Sequence, residues 1–193
     1  MSFNASLSFE ASQNTVLVGE SVDLAINIYS NQEPVAATDV WISYNPSLFQ
    51  PILPAQNSRL FEAMEAKIVA PGKLYIYGLR RNASETETAN GNIATITFKA
   101  LQEGAATFKF ECLSGVENSS QIIKNNPQLT NIINCERTQA HSQIISIADT
   151  QILGASDRYI LPLNMWYLTT LVAILTITVF LYIRTRQLAK EET

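Results

Sequence analysis

Residues 165–183 read MWYLTTLVAILTITVFLYI, 19 consecutive positions with no charged residue, glycine or proline. As a helix rising about 1.5 Å per residue, this run reaches about 28 Å, close to the hydrocarbon thickness of a bilayer. Its threonine hydroxyls can bond back to carbonyls one turn earlier. Trp166, Tyr167 and Tyr182 stand where an interfacial aromatic belt belongs. The sequence therefore predicts one transmembrane helix over 163–183, and any globular fold must be built from the residues before it. Arg184, Arg186 and Lys190 follow the run, whereas only Arg158 lies near its front. Short flanks rich in Lys and Arg stay inside, so 184–193 reads as a basic cytoplasmic tail and the N-terminal domain as extracellular. The opening residues MSFNAS have neither the basic start nor the apolar run of an export signal. A processed or later-starting chain is the expected explanation, with a cytoplasmic, tail-anchored domain as the alternative.

Residues 1–148 are long enough for one domain with its own core, and 149–162 then form a linker. Over residues 1–160 there are 10 Lys and Arg against 15 Asp and Glu, a net charge of −5. An acidic domain without a basic cluster argues against nucleic acid as a partner, because phosphate binding depends on clustered Lys and Arg. His141 is the only histidine, and Cys112 and Cys135 are the only cysteines. Two cysteines and one histidine are too few for a metal site, and no cofactor is expected. Outside the cell the two cysteines could close a loop worth about 3 kcal/mol, the alternative being two separate core residues.

Alternation of period two dominates the domain. Residues 5–11 place Leu7 and Phe9 on one face, and 14–18 follow as a short strand before the Gly19-Glu20 turn. In 21–29, Val22, Leu24, Ile26 and Ile28 face inward, and 30–34 reads as a break. Residues 38–44 alternate again, with Val40, Ile42 and Tyr44 inward and Asp39, Trp41 and Ser43 outward. Pro51 and Pro54 confine 48–53 to a sheet edge or bulge. Residues 58–66 read as one or two helical turns capped by Ser58. Strands follow at 73–79, 93–100, 105–112 and 143–148. Arg80–Asn90 reads as a loop, and 113–137, rich in Asn, Ser and Gln, as irregular chain. Short strands, frequent turns and no long helix before residue 163 predict an all-β antiparallel jelly-roll β-sandwich of about nine strands.

The segments NTVLVGESVDLAINI, VAATDVWISYNPSLFQP, GKLYIYG, NGNIATITFKAL and EGAATFKF occur in that order. This succession resembles the cohesin domain, with its V-x-x-G-E strand pair, its strand ending in Y-D/N-P and its later G-x-I/F-A-x-I-x-F strand. The resemblance spans roughly residues 5–148. It implies a nine-stranded jelly roll that captures dockerin modules. The strand before Y-D/N-P would lie in the dockerin-facing sheet, making Asp39, Trp41 and Ser43 the partner-binding residues. Asp39 falls where an acidic contact residue is common in the family. Ala37 departs from the family's frequent Asn. The resemblance also admits a carbohydrate-binding relative, for which Trp41, Tyr75 and Tyr77 are the aromatic candidates.

No nucleophile–base, zinc-protease, P-loop or EF-hand spacing occurs, and Glu62 and Glu65 read as a solvated face, so no enzymatic activity is expected. The leading expectation is a membrane-anchored cohesin-like module that holds a dockerin-type protein outside the cell. The alternatives are a module for polysaccharide and a structural surface domain.

Overall fold

The computed structural model describes residues 4–57, 59–80 and 86–149. Its strands are β1 (Ser6–Ala11), β2 (Thr15–Leu17), β3 (Ser21–Ser43), β4 (Phe49–Asn57), β5 (Ala63–Ala70), β6 (Lys73–Leu79), β7 (Thr88–Ala100), β8 (Gly104–Phe110) and β9 (Gln121–Lys124). A six-residue helix α1 (Cys135–Ala140) precedes the last strand, β10 (Gln143–Ala148).

The 23-residue β3 serves both layers of a sandwich. Its first half lies between β1 and β7, and β4 adds to β7, giving the order β1–β3–β7–β4. Its second half pairs with β6 on one side and with β9 and then β8 on the other. That second layer runs β2–β10–β8–β3–β6–β5. All pairings are antiparallel except β10 with β2. The expected break at 30–34 is instead the crossing between layers. Asn31 and Gln32 sit at φ 54° and 65°, and the register with β7 shifts between Tyr29 and Pro34. Strands that change sheet turn at such bulges.

Alternation survives the crossing. Val22, Leu24, Ile26 and Ile28 are buried in one layer, and Val40 and Ile42 in the other. Aromatic rings join the layers: Phe98 of β7 meets Phe108 of β8 at 4.8 Å, and Phe49 of β4 meets Phe108 at 5.3 Å. At the other end Phe9 of β1 stacks on Phe110 of β8 at 3.8 Å.

Several expectations are corrected. Residues 63–66 are not helical but open β5, held by β6; Ser58 lies outside the described residues. Helical spacing of apolar residues there coincides with an edge strand whose outer side stays wet. Phe61, just before β5, fills the space left by Gly78, where a Cβ would come within 2.8 Å of its ring. Arg80, just past the end of β6, is not a solvated loop residue. It is buried, and its guanidinium donates to the carbonyls of Leu60, Glu87 and Thr88 at 2.7–3.2 Å. Thr88–Asn90 already belongs to β7. The stretch 113–137 contains β9 and the start of α1, because asparagine side chains replace missing backbone partners. Asn131 Oδ1 accepts from the N–H groups of Ile122 and Ile133, and Asn134 caps α1.

Cys112 and Cys135 form a disulfide that ties α1 to the end of β8. No helix among the described residues is long and apolar enough to cross a membrane, and the expected span at 163–183 lies outside them.

Phe98→Ala is expected to lower unfolding free energy by about 3–5 kcal/mol in denaturant titration, since the cavity would sit between the layers. Thr97→Ala, on the wet side of the same strand, should cost under about 1 kcal/mol. Reducing the disulfide, which closes a loop with a sequence separation of 23, should cost about 3 kcal/mol in the same assay.

Candidate functional site

The pairing of β3 with β6 sets Asp39 opposite Tyr77, Trp41 opposite Tyr75 and Ser43 opposite Lys73. β5 adds Glu65 beside Tyr77 and Lys67 beside Tyr75. On the other side β9 sets Gln121 opposite Asp39, and β8 sets Lys109 opposite Ser43. Glu111, just past β8, donates its N–H to the Trp41 carbonyl at 2.8 Å. Because Val40, Ile42, Leu74 and Ile76 take the inward positions, these residues share the outer face of one sheet.

The residues singled out in the sequence are thereby brought together. The Trp41 and Tyr75 rings lie 4.7 Å apart at 40°, and Tyr75 and Tyr77 lie 6.3 Å apart at 34°. Tyr75 donates its hydroxyl to Asp39 Oδ1 at 2.5 Å, and Tyr77 donates to Glu65 Oε2 at 3.2 Å. Lys67 Nζ stands 5.3 Å from the centre of the Tyr75 ring, and Lys73 pairs with Glu111 at 3.1 Å. Both phenol hydroxyls are thus committed to carboxylates within the face. What remains for a visitor is ring surface and the edges of Asp39 and Glu65. The mutual tilts leave no flat aromatic platform.

One contributor escaped the sequence reading. Ser120 is buried, and its Oγ accepts from the Trp41 N–H at 2.9 Å and donates to the Trp41 carbonyl at 3.3 Å. It fixes the Trp41 backbone from a segment read as irregular, where only the length of the loop gave any signal. Ser43 stands apart from the aromatic cluster, at the rim of a cavity toward Lys73 and Lys109.

Nothing in the face arranges a nucleophile with a base. Glu62 and Glu65 do not lie on a helix, and His141 ends α1, its backbone N–H donating to Thr138. Among the described residues no group of three or more His, Cys, Asp or Glu could hold a metal ion.

Burial, and then the hydrogen bond to Asp39 with its negative charge, pushes the Tyr75 phenol well above its ordinary 10.0. Burial also raises Tyr44, against a smaller opposing effect of Gly72. A phenol whose pKa is higher folded than unfolded adds stability that is complete below the unfolded value. That stability is lost as pH rises through the folded value. Alkaline titration followed by phenolate absorbance should show Tyr75 ionising after the tyrosines free of such contacts. Stability should fall above pH 10 less steeply in Tyr75→Phe than in the parent chain.

Residues 7–126 match the Cohesin domain family. No curated protein matches the chain. Among solved structures, a type II cohesin domain from the cellulosome of Acetivibrio cellulolyticus is similar at 17% identity and a TM-score of 0.55, covering 73% of this chain and 94% of that one. A type II cohesin from Bacteroides cellulosolvens is similar at 17% identity and a TM-score of 0.58, covering 74% and 99%. The sixth cohesin of Acetivibrio cellulolyticus scaffoldin B, solved in complex with a dockerin, gives 11% identity and a TM-score of 0.53, covering 74% and 99%. At these identities the likeness is one of fold.

Proposed function

The chain belongs to the cohesin domain family, and from that premise we propose that it captures a dockerin-type protein module with the outer face of β5–β6–β3–β8. Cohesin domains are non-catalytic binding modules, in agreement with the reading of the sequence as no enzyme. The observation that carries the proposal is the cluster of Trp41, Tyr75, Tyr77 and Asp39 on one sheet face, fixed by internal hydrogen bonds. Aromatic residues anchored in this way are the side chains that dominate protein interfaces, because they bury large area at little cost in side-chain entropy. Similar cohesins solved with dockerins support a protein as the partner. The proposal extends to location: residues 163–183 anchor the chain in a membrane with the sandwich outside, a reading supported by the uncharged run and the basic residues after it.

Titration calorimetry of the chain against a panel of dockerin modules tests the proposal. A saturable complex is expected, weakened about 30-fold or more by Trp41→Ala. A complex untouched by Trp41→Ala and Asp39→Ala would remove the assignment of the face. Retention on insoluble polysaccharide that is abolished by Tyr75→Ala would replace the protein partner with a glycan.

A further inference from the structure

The outer face is graded along β3. Outward rows on a strand lie two residues, or about 7 Å, apart. At the Ser43 end the row is Lys73–Ser43–Lys109. The next row holds Lys67, Tyr75 and Trp41 with Glu111 beside them, and the one after it Glu65, Tyr77, Asp39 and Gln121. The first two rows together carry three lysines and one carboxylate; the third carries two carboxylates and no base. Lys73 is spent on Glu111, and Lys67 lies over the Tyr75 ring. Lys109 is exposed and has no ion-pair partner among the described residues.

Beside Lys109 the surface opens into a cavity of about 410 Å³, with Lys73, Phe110, Cys112, Leu113 and Val116 in its wall. Its lip is apolar and uncovered: Leu113 is 62% exposed and Val116 49%. The lip is also held in place. Buried Ser119 accepts from the Leu113 N–H at 2.7 Å and donates to its carbonyl at 2.9 Å. Gln139 of α1 donates to the Cys112 carbonyl at 2.7 Å, and the disulfide binds Cys112 to the same helix. A pre-organised apolar socket loses little entropy when it is filled.

We infer that this cavity is the anchoring end of the partner face, taking an apolar side chain that the dockerin-type module presents next to an Asp or Glu paired with Lys109. The inference rests on the proposed use of the face and adds the chemistry and polarity of its partner. The cavity adjoins the face through Ser43 and Lys73, which line it and form the row next to the aromatic cluster. An acidic group is better accommodated at this end, where Lys73 pairs with the lining carboxylate Glu111 and Lys109 remains, than at the other, where it would meet Asp39 and Glu65. Like charges opposed across an interface suppress the reversed arrangement. The module therefore docks in one direction along β3.

The test uses the full chain as bait for a displayed library of dockerin modules with randomised helical surfaces, followed by Kd measurement on selected modules. Selected modules should share an apolar residue next to an Asp or Glu. Lys109→Glu and Val116→Asp, both at exposed positions, should each weaken them about tenfold or more, while Lys99→Glu on the opposite sheet should not. Replacing the selected acidic residue by Lys should restore binding to Lys109→Glu. Modules lost on Trp41→Ala but indifferent to Lys109→Glu and Val116→Asp would overturn the anchor and leave the face standing. No selected module, or modules indifferent to Trp41→Ala, would overturn both.

Discussion

The fold depends on one strand serving two sheets that face each other. A residue pointing into the core from one layer points in the opposite sense from one pointing in from the other. A strand that passes between the layers must therefore turn its side-chain faces over as it crosses, or half of its apolar residues end in water. In β3 the turnover happens between Tyr29 and Val35, where two successive residues take positive φ. Non-glycine residues in that region are strained, and they persist only where the surroundings fix them. Here the fixing comes from both sides: five strands, β1, β7, β6, β9 and β8, pair with β3 before the bend or after it, and Ser30 at the bend is buried, with its backbone N–H bonded to Asn90. Once the crossing is in place, Val40 and Ile42 go inward, and Asp39 and Trp41 must come out beside Tyr77 and Tyr75.

The proposed binding face is thus a by-product of register rather than a separate construction. Its internal contacts nevertheless change what it offers. With the Tyr75 and Tyr77 hydroxyls engaged by carboxylates, the rings present apolar surface while Asp39 and Glu65 are held at one side of them. This arrangement suits a protein surface that brings apolar contacts with charges set around them. It suits a flat sugar ring less well, because the three aromatic planes diverge.

Much of this was legible in the sequence because period-two alternation is a local signal. The inward residues of 21–29 and 38–44 are buried as alternation predicts. So is the aromatic face, since parity alone separates Trp41 from Ile42. What escaped depends on distant partners. The crossing at 30–34 looks like a break because Asn, Gln and Pro are poor strand formers, and only pairing on both flanks carries the strand through. Residues 63–66 look helical until β6 is present to hold them extended. Arg80 reads as solvated because nothing nearby announces that carbonyls 7 to 20 residues away will converge on its guanidinium. Ser120 has no local signature at all, and its role depends on Trp41 lying 79 positions earlier.

The central claim is that the partner meets the β3–β6 face and not the opposite sheet. A photo-activated cross-linking residue placed at position 41, and separately at position 97, measures this most directly. In a mixture with a bound dockerin module, the account predicts a covalent adduct from position 41, next to Tyr75, and none from position 97, on the outer side of β7. An adduct from position 97 with none from position 41 would contradict it.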